Sequence, residues 1–376
     1  MFNTYSFFAL YLAVLSGVEL AIDNVRLRRV SFFLLGIVPL VLFVGLRGGD
    51  VDDDYYSYIK YFELAPTLSN FASDLQSYEE ETSGVEKGFS LVASSLASVG
   101  ASPEAGIFIF ALVNFLFMYW IITGHSINYC YSLFIYYCLF LPTFFTHIRF
   151  SLALVVGFYA VMRLLVYRRK LLSWLLLLIS PFMHIAAIIF IPTIVAYRLM
   201  SRVKIIHFGV VALLLSGLFL FVDFSAIIGG VLSYVGGRYE FYVGAGTGSI
   251  VSAALRVLFL FLFLLGFKGV YMTRFSEENL RAPPSSGFNI LFFIYCLSTL
   301  VWSIGWQVDV LYRLGLALQF SMVLLVPYYI YYKTKQSIVS YVLVGASAGL
   351  FNIYFLYTLA GGVSVLGDYH TIFSAQ

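Results

Sequence analysis

Twelve apolar runs, most of them close to the length a helix needs to cross a bilayer, constrain this chain more than any other feature. They fall at roughly 4–22, 30–46, 105–124, 128–147, 150–166, 171–183, 185–200, 205–222, 250–267, 287–306, 314–332 and 337–358. A hydrocarbon core about 30 Å thick takes about 20 apolar residues of helix. Inside lipid every backbone N–H and C=O must be satisfied within the protein, so such runs fold as helices rather than open sheets. Only 11% of the residues are charged and 61% are hydrophobic, far from the roughly 25% charge of a soluble domain. The expected fold class is an all-α polytopic membrane protein of about 12 transmembrane helices, a single transmembrane domain over residues 1–376.

The first run, from Phe2 to Ile22, lacks a basic leading region and a small-residue cleavage site, so it reads as a retained helix. Two segments on either side of Pro181–His184 are short. Merging them would reverse the side of every later loop, which the distribution of basic residues opposes. With both termini outside, the inner helix ends carry Arg26, Arg28, Arg29, Arg163, Arg168, Arg169, Lys170, Arg198, Arg202, Lys204, Lys268, Arg274, Arg281, Lys333 and Lys335, fifteen of the 22 basic residues. These are topology signals, and no basic and aromatic stripe of the nucleic-acid kind accompanies them. Cys130, Cys138 and Cys296 each lie inside an apolar run and read as packing residues, with no disulfide or metal framework.

Elaboration is confined to the outer side. Residues 47–104 form a first long external loop that holds most of the acids and an amphipathic piece, Gly88–Val99. Residues 223–249 form a second, rich in glycine and tyrosine. The inner loops are short, so whatever the protein handles is expected at the outer face.

The residues left outside include five arginines and only two lysines. Arg47 ends the second run, Arg149 opens the fifth, Arg256 lies one to two turns into the ninth, Arg313 opens the eleventh, and Arg238 sits in the glycine-rich loop. A planar guanidinium grips two phosphate oxygens at once, so this set points to an anionic diphosphate ligand. The ordinary alternative is that each arginine snorkels to lipid phosphate or pairs with a nearby acid, Arg47 with Asp50 or Arg313 with Asp309. His184 follows Pro181 at the outer end of two short helices and offers proton transfer or a further phosphate contact. In GLRGGDVDDDYYSY (residues 45–58) the aspartates match a pattern that elsewhere holds a metal, yet solvated loop acids explain them as well. A carboxylate there is a candidate general base, and Tyr55, Tyr56, Tyr58 and Tyr61 are candidates to stack on sugar rings.

Taken in order, Arg47-Gly48-Gly49 with Asp54-Tyr55 and Tyr58, Glu86-x-Gly88-Phe89, Ile148-Arg149-x-x-Leu152-Ala153, Phe182-x-His184 with Pro192, and Tyr312-Arg313 resemble the EpsG-like branch of the Wzy polysaccharide polymerases. The resemblance spans roughly residues 30–330. It departs in one place: Asp52, Asp53 and Asp54 compete for the single aspartate of the pattern, and Asp54 is favoured because Tyr55 and Tyr58 keep its register. The resemblance implies a GT-C-like membrane glycosyltransferase in the bacterial inner membrane, active on the periplasmic face in O-antigen or exopolysaccharide synthesis. Its substrates would be undecaprenyl-diphosphate-linked oligosaccharides, with membrane lipid and a chain-length regulator protein as partners and no cofactor or metal. The implied roles are Asp54 and Glu86 as candidate catalytic carboxylates, Arg47, Arg149, Arg313, Arg238, Arg256 and His184 at the diphosphate, and Tyr55 and Tyr58 at the sugar. The alternative reading is a lipid-linked oligosaccharide flippase or polysaccharide transporter, which would be expected to show two related halves and charge along a central cavity. A membrane acyltransferase is a further rival, for which the inner loops look too short to receive a cytoplasmic acyl donor.

Overall fold

The computed structural model describes residues 4–51, 54–82, 85–167, 170–200, 203–224, 227–228, 230, 250–272 and 285–334. Among these residues the chain is helical, with no strand. The helices gather into two compact units. The predicted run at 337–358 and most of the glycine- and tyrosine-rich segment lie outside the described residues.

The first unit comprises the described parts of Met1–Ala160 and Arg169–Ile185. Its helices are α1 (Thr4–Leu20), α2 (Val25–Gly45), α3 (Tyr55–Glu63), α4 (Phe71–Glu81), α5 (Lys87–Ser98), α6 (Pro103–His125), α7 (Tyr129–Thr146), α8 (Ile148–Leu165) and α9 (Lys170–Met183). Helix α8 runs on beyond the unit at its C-terminal end. Local sequence explains where the long helices start. Asn24 caps α2 by accepting from the amides of Arg26 and Leu27, and Ser102 caps α6 ahead of Pro103 in the first turn. Glu19, buried at the end of α1, accepts from the amides of Tyr129 and Cys130 at 2.8 and 2.5 Å and from Arg28 at 2.6 Å. A carboxylate at the positive end of α7 thus fixes α1 and α2 to that helix.

Residues 47–104, expected as an external loop, are mostly folded. Tyr55, Tyr58 and Phe62 share one face of α3, and Phe89 and Ala93 share one face of α5. Together with Tyr78 they form an apolar cluster on Ile107 and Phe110 of α6 and on Ile148, Leu152 and Val156 of α8. Burying a large apolar side chain is worth about 1.5–3 kcal/mol, so this cluster anchors the polar segment to the ends of two apolar helices. The amphipathic piece expected at Gly88–Val99 is α5, which spans Lys87–Ser98.

The second unit comprises the described parts of Val161–Arg168 and Ala186–Ser340. It contains α10 (Phe190–Met200), α11 (Ile205–Phe219), α12 (Ile250–Met272), α13 (Ser285–Gly305), α14 (Asp309–Gln319) and α15 (Met322–Thr334). The run predicted at 314–332 is interrupted: α14 ends at Gln319 and α15 begins at Met322. Ser321 donates its hydroxyl to the Leu318 carbonyl and Val323 its amide to Phe320, tightening the chain between the two helices.

Among the described residues, five helical stretches are long and apolar enough to cross a membrane: Val25–Gly45, Pro103–His125, Ile148–Leu165, Gly287–Gly305 and Leu311–Ile330. Six shorter apolar helices accompany them, including Thr4–Leu20, Lys170–Met183 and Ile205–Phe219. The chain is a multi-pass membrane protein. All three cysteines are buried and unbonded.

Candidate active site

Between α7 and α8 the chain leaves helical geometry for a single residue, His147. Its Nδ1 lies 2.7 Å from the Thr146 hydroxyl and 3.2 Å from Oδ2 of Asp54. Asp54 occupies the N-cap position of α3, where an aspartate ordinarily accepts from its own helix. Here its side chain makes no capping bond, and the carboxylate faces the histidine instead. Both side chains are accessible, Asp54 at 43% and His147 at 35%.

Two residues further on, Arg149 enters the first turn of α8 and donates to Glu86 Oε2 at 2.6 Å. Glu86 holds the N-cap position of α5 and, like Asp54, makes no side-chain cap. Its other oxygen lies 4.0 Å from Nε2 of His184, at the end of α9, and the His184 ring stands edge-on to Phe150. Three rings surround the guanidinium: Tyr61 at 5.3 Å, Phe89 at 5.4 Å and Tyr58 at 5.8 Å. Such cation–π contacts are worth about 0.5–2 kcal/mol each, more when desolvated. Among the described residues, Nε of Arg149 is buried without a hydrogen-bond partner.

Tyr58 joins the two clusters. Burial pushes its phenol up from the ordinary range, Arg149 pulls it part of the way back, and the Asp54 charge pushes it up again. It therefore stays a neutral hydrogen-bonding group at physiological pH. Tyr78, whose phenol burial also pushes up, donates to the Tyr61 carbonyl at 2.9 Å and ties α4 to the C-terminal turn of α3.

Gly88 explains why Glu86 reaches His184. A Cβ at position 88 would stand 2.5 Å from the carbonyl oxygen of Phe182, closer than real Cβ contacts come. With no side chain, α5 approaches the backbone of α9 two residues before His184.

Arg47 is fully buried. It donates to the carbonyls of Val44 and Phe145, both at 2.8 Å, and its guanidinium lies 4.7 Å from the Phe145 ring and 5.8 Å from that of Tyr55. It thus holds the last turn of α7, next to His147. Tyr55 is buried under the same cation, and the first unit brings Asp54, Tyr55, Tyr58, Glu86, Arg149 and His184 into one neighbourhood. Asp52 and Asp53 lie outside the described residues.

A family model described as the EpsG family matches residues 30–366. The chain belongs to the EpsG family. This is the family of Wzy-like exopolysaccharide polymerases. No curated protein and no solved structure gives a match.

The EpsG-family match runs through both units, and the second has its own buried cation. Arg256, on α12, is 5% exposed. Its Nε donates to Gln319 at 2.9 Å and its Nη1 to the Ser252 carbonyl at 2.6 Å, and the guanidinium stacks 3.4 Å from the centre of the Trp302 ring. Tyr295 donates to the Arg256 carbonyl. The ion pairs among the described residues do not include Arg256. Arg313 is half-buried on α14, and Arg238 lies outside the described residues.

The candidate-site residues of this EpsG-family chain that sequence reasoning passed over are His147, Trp302 and Gln319. Only His147 carried a usable signal, standing two residues before Arg149 at the junction of two apolar runs. Gln319 and Trp302 lie inside apolar runs and meet Arg256 only through folding.

Proposed function

We propose that this EpsG-family protein is a membrane glycosyltransferase that polymerises lipid-linked repeat units in O-antigen or exopolysaccharide synthesis. The growing glycan passes from undecaprenyl diphosphate to the terminal sugar hydroxyl of the next lipid-linked unit, at the periplasmic face of the inner membrane. The helices would form a GT-C-like arrangement of about twelve passes, and a chain-length regulator protein would be a partner. One observation carries the reading: the first unit sets an acid–histidine pair, Asp54 and His147, two residues along the chain from a caged guanidinium, Arg149. Proton removal and anion stabilisation are the two tasks of a transfer that makes a glycosidic bond and releases a diphosphate.

Glu86 and Asp54 take different parts in this reading. Glu86 is held at 2.6 Å by Arg149, so its carboxylate is already engaged by a cation. It serves as the counter-ion that keeps Arg149 in place until phosphate oxygens arrive. Charge-assisted hydrogen bonds contribute about 1.5–3 kcal/mol each, and a diphosphate presenting several oxygens competes with a single carboxylate contact. His184, on the far side of Glu86, adds a second donor to the anion. Asp54 belongs to the acceptor side, whereas Tyr55 and Tyr58, expected at the sugar, are 5% and 4% exposed and pack in the apolar cluster behind it. Arg47 positions α7 through its carbonyl contacts rather than meeting the ligand. Arg256 and Arg313, in the second unit, keep the expectation of phosphate contact, as does Arg238.

The test is reconstitution. Purified protein in lipid nanodiscs is mixed with lipid-linked repeat unit extracted from cells that lack the polymerase, and the products are resolved by size. A ladder of products with release of undecaprenyl diphosphate is expected. Movement of the lipid-linked unit across the bilayer with no change in its length would overturn the assignment in favour of a flippase.

A further inference from the structure

We propose that His147 is the group that receives the proton of the acceptor hydroxyl, and that Asp54 acts through it as a positioning residue. This rests on the polymerase reading and adds to it a catalytic residue. Nδ1 of His147 faces two oxygens, Asp54 Oδ2 at 3.2 Å and Thr146 Oγ1 at 2.7 Å. The carboxylate can only accept, so the proton of a neutral imidazole sits on Nδ1 and the lone pair on Nε2. That tautomer is the one a general base needs.

Three features of the chain hold the ring there. His147 is the single non-helical residue between α7 and α8, and its carbonyl accepts from the Ser151 amide at 2.9 Å as the first bond of α8. Arg47 fixes the preceding turn through the Phe145 carbonyl. Asp54, freed from capping α3, supplies the oxygen opposite Nδ1. Glu86, a second acid of the neighbourhood, is committed to Arg149. Among the described residues Asp54 faces the ring at Nδ1, and Arg149, paired with Glu86, stands two residues on.

The step balances without a further reactant. The acceptor oxygen forms a bond to the anomeric carbon of the donor glycan, and its proton moves to Nε2 of His147. The bond from that carbon to the lipid diphosphate breaks, and the diphosphate leaves with the electron pair. Asp54 carries the negative charge that stabilises the imidazolium so formed, and the proton later returns to solvent. The arrangement is that of a histidine base oriented by a carboxylate, which recurs on unrelated folds.

The experiment uses the full-length protein in nanodiscs with the extracted lipid-linked repeat unit. His147→Gln and His147→Ala are expected to lower the rate of chain growth by about 10²–10⁴-fold with KM for the repeat unit little changed. Added imidazole is expected to restore part of the lost rate to His147→Ala and none to His147→Gln, whose side chain fills the space. Asp54→Asn is expected to lower kcat, and the Asp54→Asn/His147→Ala double variant to be no slower than His147→Ala alone, since the two act as one unit. A wild-type ladder with His147→Gln growing chains within about threefold of the wild-type rate would refute the role of His147 and leave the polymerase reading standing. The absence of any ladder from wild type would remove the polymerase reading and this proposal with it.

Discussion

Arg149 and Arg256 are both arginines on apolar helices, and the two compact units bury them in opposite ways. Arg149 has an acid at 2.6 Å and three rings around it, whereas Arg256 has a tryptophan face, an amide oxygen and a serine. A charge in an apolar helix is costly, about 2.5–3.5 kcal/mol on insertion scales at the centre and less toward the ends, where these two sit. The first unit offsets this with opposite charge, the second with dipoles and a ring quadrupole. An ion pair can be exchanged for another anion, and the Glu86 side chain keeps 22% of its surface exposed. A dipole cage keeps its net positive charge at all times. In the proposed reading the first cation switches partners and the second provides a standing field.

The largest expected effect is on Arg149. Arg149→Ala leaves Glu86 without its cation and removes the anion contact. Removing one partner of a buried pair costs about 3–5 kcal/mol, and the partial exposure of Glu86 places this variant toward the low end. Chain growth is expected to fall by about 10²–10³-fold, as when an oxyanion contact is lost. Cells carrying the variant should accumulate single repeat units on lipid, visible by gel, with the protein still inserted. Normal chain lengths in such cells would mean that the ion pair is structural only.

Gly88→Ala comes next, because the added Cβ would meet the Phe182 carbonyl at 2.5 Å. Backbone cannot retreat as a flexible side chain does, so α5 and α9 must part. Overpacking of this kind costs about 1–3 kcal/mol, read as a lower melting temperature in detergent. Activity should fall further than stability predicts, since Glu86 and His184 are carried apart. A variant with unchanged melting temperature would show that α5 does not need this close approach.

Glu86→Gln turns the first cage into a version of the second, a guanidinium facing an amide. Chain growth is expected to fall by about tenfold, less than in Arg149→Ala, because the cation remains but is no longer aimed by charge. Combined with Arg149→Met the losses should not add, which a double-mutant cycle measures. A greater loss in Glu86→Gln than in Arg149→Ala would return Glu86 to the list of candidate bases.

Much of the scaffold is legible in the sequence, and the reason is physical. An apolar run in lipid has one solution, and Asn24, Ser102 and Pro103 mark helix starts by local chemistry. The apolar run 314–332 gives no warning of the break between Gln319 and Met322, because serine in an apolar segment reads like any small residue. Arg47 shows the other limit. At the end of a run it looks free to meet phosphate, and only the fold brings the Phe145 carbonyl, 98 residues away, within 2.8 Å. Glu86-x-Gly88 was recognisable as a pattern, while the purpose of its glycine lies in a contact with Phe182 that no local rule supplies.

The smallest expected effect is the most diagnostic for the second cage. Arg256→Met replaces a guanidinium by an apolar chain of similar length beside Trp302. Exchanging buried charge for well-packed apolar groups is often neutral, or stabilising by about 1–4 kcal/mol. Arg256 has no acid partner among the described residues, so the replacement leaves no orphaned carboxylate behind. The melting temperature of Arg256→Met is therefore expected to match or exceed that of wild type, the reverse of Arg149→Ala. Chain growth should nonetheless fall, because the positive charge is held there at a cost that stability alone does not explain. If Arg256→Met melts as early as Arg149→Ala, the dipole cage is a structural support like any other, and the contrast between the two cations is one of packing alone.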